Sequence, residues 1–139
     1  MITYFKDEYR WLSNFVDADV IYEGVKYPSV ENAYQAAKFS DPKDRVKFET
    51  CKAFEAKRLG KGKQPSDWHT RSISIMKDLV RQKFLNNDNY RTLLANTNDE
   101  LIVEGNTWGD TFWGQCPLGN GENHLGKILM EIRYELRQH

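Results

Sequence analysis

The sequence predicts a mainly α-helical (α+β) domain of several helices around a shared core with a few short strands. Three observations carry that expectation. Apolar residues recur at helical spacing over residues 66–84 and 122–137. Shorter stretches begin or end on residues suited to helix termini, as at Ser29, Asp41, Asp88 and Gly60. Strand-like patterns, by contrast, are confined to runs of three or four residues. The length of 139 residues suits a single domain covering 1–139, large enough to bury roughly two-thirds of its unfolded surface.

The elements follow in order. Ile2-Thr-Tyr-Phe5 alternates as a short strand. Tyr9–Phe15 has no clean period and reads as an irregular aromatic loop. Val20–Tyr22 and Val25–Tyr27, joined by Glu23-Gly24, form a hairpin pattern. Tyr27-Pro-Ser-Val-Glu-Asn-Ala-Tyr-Gln-Ala-Ala-Lys-Phe39 then opens as a helix, with Ser29 as its cap. On that helix Glu31, Gln35 and Lys38 fall at i, i+4 and i+7 along one side, with Val30, Ala33, Ala37 and part of Tyr34 opposite.

Asp41-Pro42 caps and starts a second helical stretch. Phe54–Gly60 is a separate short helix closed by its glycine, before a basic loop over residues 61–65. Ser66 caps a long helix through Phe84, with Ile73, Met76, Leu79, Val80 and Phe84 in phase. Asp88 begins a short helix carrying Tyr90, Leu93 and Leu94. Leu101–Val103 reads as a buried strand and 108–121 as a glycine-rich loop. The last helix runs from about Glu122 to Arg137, with Leu125, Ile128, Leu129, Ile132 and Leu136 inward.

Composition narrows the function. Lys plus Arg and Asp plus Glu balance at 20 each, which argues against a generic nucleic-acid coat or a membrane-surface binder. No apolar run reaches the roughly 18–20 residues of a membrane span, and no signal sequence opens the chain, so a cytoplasmic setting is the default. Cys51 and Cys116, with His69, His124 and His139, have no metal-ligand spacing. The cysteines read as packed or idle thiols, and neither a metal nor a cofactor is expected.

Several segments could carry chemistry. Glu104, at the end of a short strand, precedes a loop that sets Asp110 between Trp108 and Trp113. Rigidly placed carboxylates beside flat apolar walls suit a pocket; the bland reading makes the tryptophans core anchors and the acids loop caps. Gly119–Gly126 brings backbone amides to a helix start, a geometry suited to phosphate but frequent in ordinary caps. Arg10, Trp11, Ser13 and Asn14 could hold a phosphate or a base edge, or form an ordinary surface loop. Lys57, Arg58, Lys61 and Lys63 make a basic patch, either solvated or phosphate-binding. Trp68 stands off the stripe of Ile75, Met76 and Leu79, as a stacking wall or a core residue.

Taken together, Leu12-Ser-Asn-Phe15, Tyr27–Phe39, Trp68, Leu101-Ile-Val-Glu104, Trp113-Gly114 and Asn123-His-Leu-Gly126 resemble the NADAR superfamily, including its YbiA-like members. The resemblance covers nearly the whole chain in order. It implies cleavage of an N-glycosidic bond to a ribose, in riboflavin-pathway ribosylaminopyrimidine phosphates or in ADP-ribosylated guanine of nucleic acid. It implies Glu31 and Lys38 as the family's acid and lysine, Trp68 as its helix tryptophan, and Glu104 with Asp110 as its late acids.

The chemistry requires a proton for the departing nitrogen and stabilisation of an oxocarbenium-like sugar. Lys38 is the expected Schiff-base nucleophile, provided burial lowers its pKa, with Glu31 and Glu104 as acid–base partners. Trp68 and Trp113 would enclose the base or ribose. Arg10, Asn14 and Asn123 would position phosphate and hydroxyls, and Ser13, Gln35 and Gly114 complete the expected binding set. The partner is then a small ribosylated molecule or an ADP-ribosylated nucleic acid, and no membrane. Two other classes stay open: a non-catalytic ADP-ribose or nucleotide reader, and a structural or partner-binding domain.

Overall fold

Glu23 and Gly24 both adopt positive φ, 47° and 82°, the left-handed pair that a two-residue hairpin turn requires. They join β1 (Val20–Tyr22) to β2 (Val25–Tyr27) in antiparallel register, with Val20 opposite Tyr27 and Tyr22 opposite Val25. The structure, a computed structural model, describes residues 1–138. Among them six α-helices follow the hairpin: α1 (Val30–Ala36), α2 (Pro42–Arg45), α3 (Ala53–Gly60), α4 (Trp68–Leu85), α5 (Asp88–Ala95) and α6 (His124–Arg137). Short 3-10 turns cover Asp7–Leu12 and Val46–Glu49. The mainly helical expectation is met.

The chain divides into two compact units, Asn14–Lys83 and Met1–Ser13 with Phe84–His139. The first of these holds the hairpin, α1 to α3 and most of α4. Local chemistry explains its helix starts. Ser29 Oγ accepts the Asn32 amide at 3.0 Å, and Asp41 Oδ1 accepts the Lys43 amide at 2.9 Å with Pro42 in the first turn. Asn32 in turn donates to the carbonyls of Phe48 and Cys51 at 2.9 and 2.8 Å. That buried amide pins the 3-10 turn and the approach to α3 onto α1. Val20, Tyr27, Val30, Ala33, Phe48, Ala56 and Leu79 are among its buried side chains.

The other unit is organised by α5 and α6. Leu125, Ile128, Leu129 and Ile132 of α6 are buried at the expected spacing, and Arg133 joins them. Its guanidinium is satisfied by Thr97 Oγ1 at 3.0 Å and the Glu100 carbonyl at 2.8 Å, which is what allows a charge on that face. Leu136 is only half-buried.

Five expectations need correction. Ile2–Phe5 and Leu101–Val103 do not form strands; they meet at one parallel bridge between Ile2 and Ile102. Two backbone bonds of 2.8 Å hold it, from Ile2 to Leu101 and from Val103 to Ile2. The chain turns at once into the 3-10 segment, so no ladder propagates.

The helix expected to reach Phe39 ends at Ala36, because the chain turns at Ala37 and Lys38 and the Lys38 amide reaches back only to the Gln35 carbonyl, 3.2 Å away. The long helix begins at Trp68, one residue later than a cap at Ser66 implies. Finally, α6 starts at His124 after Asn123, whose left-handed conformation (φ 52°, ψ 42°) breaks the helical run that would otherwise begin at Glu122.

Candidate functional site

In the Asn14–Lys83 unit, the polar stripe of α1 is not a solvated face. All seven residues of the helix are buried, Glu31 with 7% and Gln35 with 5% of its surface exposed. Gln35 Nε2 donates to Glu31 Oε2 over 3.1 Å, as residues four apart on a helix can. The Glu31 backbone amide donates to the Asn14 carbonyl at 3.1 Å. Asn14 is itself buried, its Nδ2 directed at Met76 Sδ over 3.4 Å.

Lys38 follows the turn after α1. Its Nζ donates to the Gly60 carbonyl at the end of α3 over 3.1 Å and stands 5.6 Å from the centroid of the Tyr34 ring. Burial pushes its ammonium pKa below the usual lysine value, and the Glu31 carboxylate pulls it part of the way back. A half-buried amine of lowered basicity beside a buried acid is a chemically useful pair.

Trp68 is corrected here. It lies on the buried stripe of α4 with Ser72, Met76, Leu79 and Lys83 and is 5% exposed. Counting Ser72 as a buried position brings Trp68 into phase. Its indole N–H donates to Tyr34 Oη at 3.1 Å, and the two rings pack at 5.2 Å. Arg71 stands 5.5 Å from the indole ring. Trp68 therefore fixes Tyr34, the ring beside Lys38, rather than offering an open stacking wall.

The basic patch is exposed. Arg58 is paired with Glu55, Lys57 stands 5.8 Å from the Phe15 ring, and Lys61 and Lys63 extend the run into the following loop.

In the other unit, Glu104 and Asp110 are gathered by a residue the sequence reading passed over, Asn106. It is 5% exposed, and its Nδ2 donates to Glu104 Oε2 at 2.8 Å and to the Asp110 carbonyl at 2.9 Å. Its Oδ1 accepts the Asp110 amide at 3.0 Å. Asp110 Oδ1 accepts the amides of Phe112 and Trp113, at 3.1 and 2.9 Å. That is the loop-capping role left open for it.

Trp113 is half-buried and meets Phe112 edge-on at 4.9 Å, with His124 at 6.3 Å. Gly114 is needed for close approach: a Cβ there would overlap Glu104 Oε2 and its backbone oxygen and lie 2.7 Å from Asn106 Nδ2. Arg10 is exposed on the 3-10 turn, whose end is Ser13.

Of the two readings of Gly119–Gly126, phosphate cradle or ordinary cap, the backbone bonds at its helix start favour the cap. The amides of Glu122, Asn123, His124 and Leu125 donate to the carbonyls of Thr111, Gly114, Phe112 and Trp113 at 2.7 to 3.2 Å. Asn123 spends its side chain too, accepting the Glu104 amide and donating to the Ile102 carbonyl, each at 3.0 Å. Asn123 is thus a clamp on the segment that carries Glu104.

The sequence reading also missed Lys83, which is 1% exposed and whose pKa burial lowers to about 7. Lysine reads as a surface residue in any hydropathy pattern, so only its place four residues after Leu79 signals burial. Cys51 and Cys116 are half-buried free thiols, and burial pushes the Cys51 pKa up. Among the described residues no helix is long and apolar enough to cross a membrane.

The chain is similar to known proteins over nearly its whole length. The NADAR domain matches residues 3–137. The chain is 37% identical over 136 residues to the N-glycosidase Npun_R5314 of Nostoc punctiforme, covering 93% of this chain and 86% of that protein. It is 32% identical over 134 residues to the N-glycosidase YbiA of Escherichia coli, covering 94% and 83%. It is also 36% identical over 137 residues to the riboflavin biosynthesis protein VVA0006 of Vibrio vulnificus, with 96% of this chain but only 37% of that protein matched. The NMR structure of the E. coli protein YbiA superposes with a TM-score of 0.84 at 30% identity, over 99% of this chain and 88% of that one. A domain match over nearly every residue, together with relatives of this identity and coverage, means that the chain belongs to the NADAR domain family.

Proposed function

We propose that the chain is an N-glycosidase, a hydrolase that breaks the bond between ribose C1′ and the nitrogen of a base or amine. The observation that carries this reading is the Lys38 amine, half-buried, of lowered basicity and held at the Gly60 carbonyl. The names of the relatives from N. punctiforme and E. coli support it. The domain match from 3 to 137 spans both compact units, which supports treating residues 1–139 as one catalytic domain. The substrate classes are a ribosylaminopyrimidine phosphate of riboflavin synthesis, supported by the name of the V. vulnificus relative, or ADP-ribosylated guanine.

In the proposed mechanism the neutral Lys38 amine attacks C1′ of the ring-opened sugar. The C1′–N bond breaks as its nitrogen takes a proton, and the base departs. Water then adds to the resulting imine, releasing the free sugar and regenerating the amine. Glu31, buried and hydrogen-bonded through Gln35, is the acid–base group. Resemblance assigns Glu104 a second such role, and Glu104→Gln tests it separately by its effect on turnover.

Borohydride reduction during turnover should leave one sugar adduct on Lys38, found by peptide mass spectrometry. Lys38→Arg should lose turnover because a guanidinium cannot form the imine. Base release by Lys38→Arg near the wild-type rate would rule out the covalent route. Base release should be assayed on riboflavin intermediates, NAD, ADP-ribosylated guanine DNA and free ADP-ribose, whose only base is the adenine of its adenosine half. This panel identifies the substrate class.

A further inference from the structure

Gly60 closes α3 with no left-handed φ, so the usual reason for glycine at a helix end does not apply. Space is the reason. A Cβ on Gly60 would overlap Gln35 Oε1, lie 2.8 Å from Gln35 Cδ and 3.1 Å from Gln35 Cβ. Gln35 Oε1 is buried and has no hydrogen-bond partner, so the amide is held by its other end, the Nε2 that donates to Glu31 Oε2. Gly60 also presents its carbonyl to Lys38 Nζ at 3.1 Å. One glycine therefore touches both halves of the candidate catalytic pair, the amine directly and the carboxylate through Gln35.

We propose that Gly60 is a positioning residue, which sets the Lys38 amine and the Glu31 carboxylate in one fixed arrangement by its carbonyl and by the absence of a side chain. Any side chain at 60 must displace the Gln35 amide, the movable partner of the overlap. That displacement breaks the bond to Glu31 and shifts the end of α3 on which the Lys38 contact depends. An orphaned buried acceptor is costly, and Oε1 against a bare Cα keeps the amide in the orientation that donates to Glu31 Oε2. The assignment of catalytic roles rests on the proposed function; the geometric claim does not.

The experiment is a double-mutant cycle of the full chain: wild type, Gly60→Ala, Gln35→Ala and both together. One readout is independent of activity, the pH dependence of Lys38 acylation by a small amine-reactive ester, followed by peptide mass spectrometry. The other is kcat against KM for base release. Gly60→Ala should move the Lys38 titration and lower kcat by about tenfold or more with little change in KM. In the Gln35→Ala background the same substitution should change both by less than about twofold, because the two overlapping amide atoms are gone and only the residue-35 Cβ, 3.1 Å away, remains to give slightly.

Equal effects of Gly60→Ala in the two backgrounds would overturn the proposal, as would an unmoved Lys38 titration in the single variant. Should Gly60→Ala fail to fold, a folded double variant with the Gln35→Ala titration supports the proposal, and an unfolded one overturns it. If the titration arm behaves as expected while no substrate is cleaved, the geometry stands and the glycosidase reading falls.

Discussion

The backbone amide of Glu104 donates to Asn123 Oδ1 over 3.0 Å. The same side chain returns a bond to the Ile102 carbonyl at 3.0 Å, so the residue before α6 holds the segment carrying a candidate acid. Asn123→Ala should destabilise the protein by about 2 kcal/mol, because two backbone groups lose their partner in a largely buried setting. Asn123→Asp keeps the acceptor but turns a carboxylate oxygen toward the Ile102 carbonyl, and should be no better. Urea unfolding with unchanged m-values measures both; a loss below about 0.5 kcal/mol for each would refute the clamp.

Gly114 allows Glu104 and Asn106 to approach the loop backbone. Gly114→Ala should cost about 2 kcal/mol or more, since part of the overlap is with a backbone oxygen that cannot swing aside. Gly119 makes an internal control: its φ is +87° and a Cβ there meets open space, so Gly119→Ala should cost only about 1 kcal/mol. Thermal melting of the pair should rank them in that order.

Glu31 raises the Lys38 pKa while burial lowers it. Glu31→Gln removes the negative charge and keeps the volume, so the Lys38 pKa should fall further. Side-chain nitrogen NMR across a pH series checks the sign. A Lys38 titration that rises in this variant would show that the carboxylate does not act on the amine.

Lys83 titrates near 7 in the folded protein, below the roughly 10.4 of an exposed lysine. The unfolded chain thus binds more protons between those values, and folding stability rises with pH across that window. Below about pH 7 both states are protonated and the cost is complete, on the order of 5 kcal/mol at most. Lys83→Met should flatten this component: the stability difference between variant and wild type should shrink as pH climbs from 7 toward 10. A difference independent of pH would mean that Lys83 is charged in the folded state throughout.

How much was legible in the sequence depended on whether the signal was local. Ser29, Asp41-Pro42 and Glu23-Gly24 act on backbone groups within a few residues, and each terminus or turn lies where that chemistry puts it. The α6 stripe was readable because Leu125, Ile128, Leu129 and Ile132 repeat at the period of the helix itself. Ile2 and Leu101–Val103 misled because β-branched composition cannot say whether a ladder has partners; one bridge is all that the neighbouring turns leave room for. Trp68 was misplaced because Ser72, a small polar residue, occupies a buried position of its stripe.

The sequence by itself determined the helical class, the hairpin, the capped helix starts and the family, and it singled out Glu31, Gln35 and Lys38 as residues worth testing. All of these follow from local backbone chemistry, helical periodicity or residue identity at matching positions. Only the tertiary structure decided that the α1 stripe is buried, that Lys38 leaves the helix to reach Gly60, and that Asn106 and Asn123 hold the acids and their loop. Those outcomes depend on which segments distant in the chain come within hydrogen-bond reach. A carbonyl at residue 60 and an amine at residue 38 carry no mark of one another until α3 is laid beside α1.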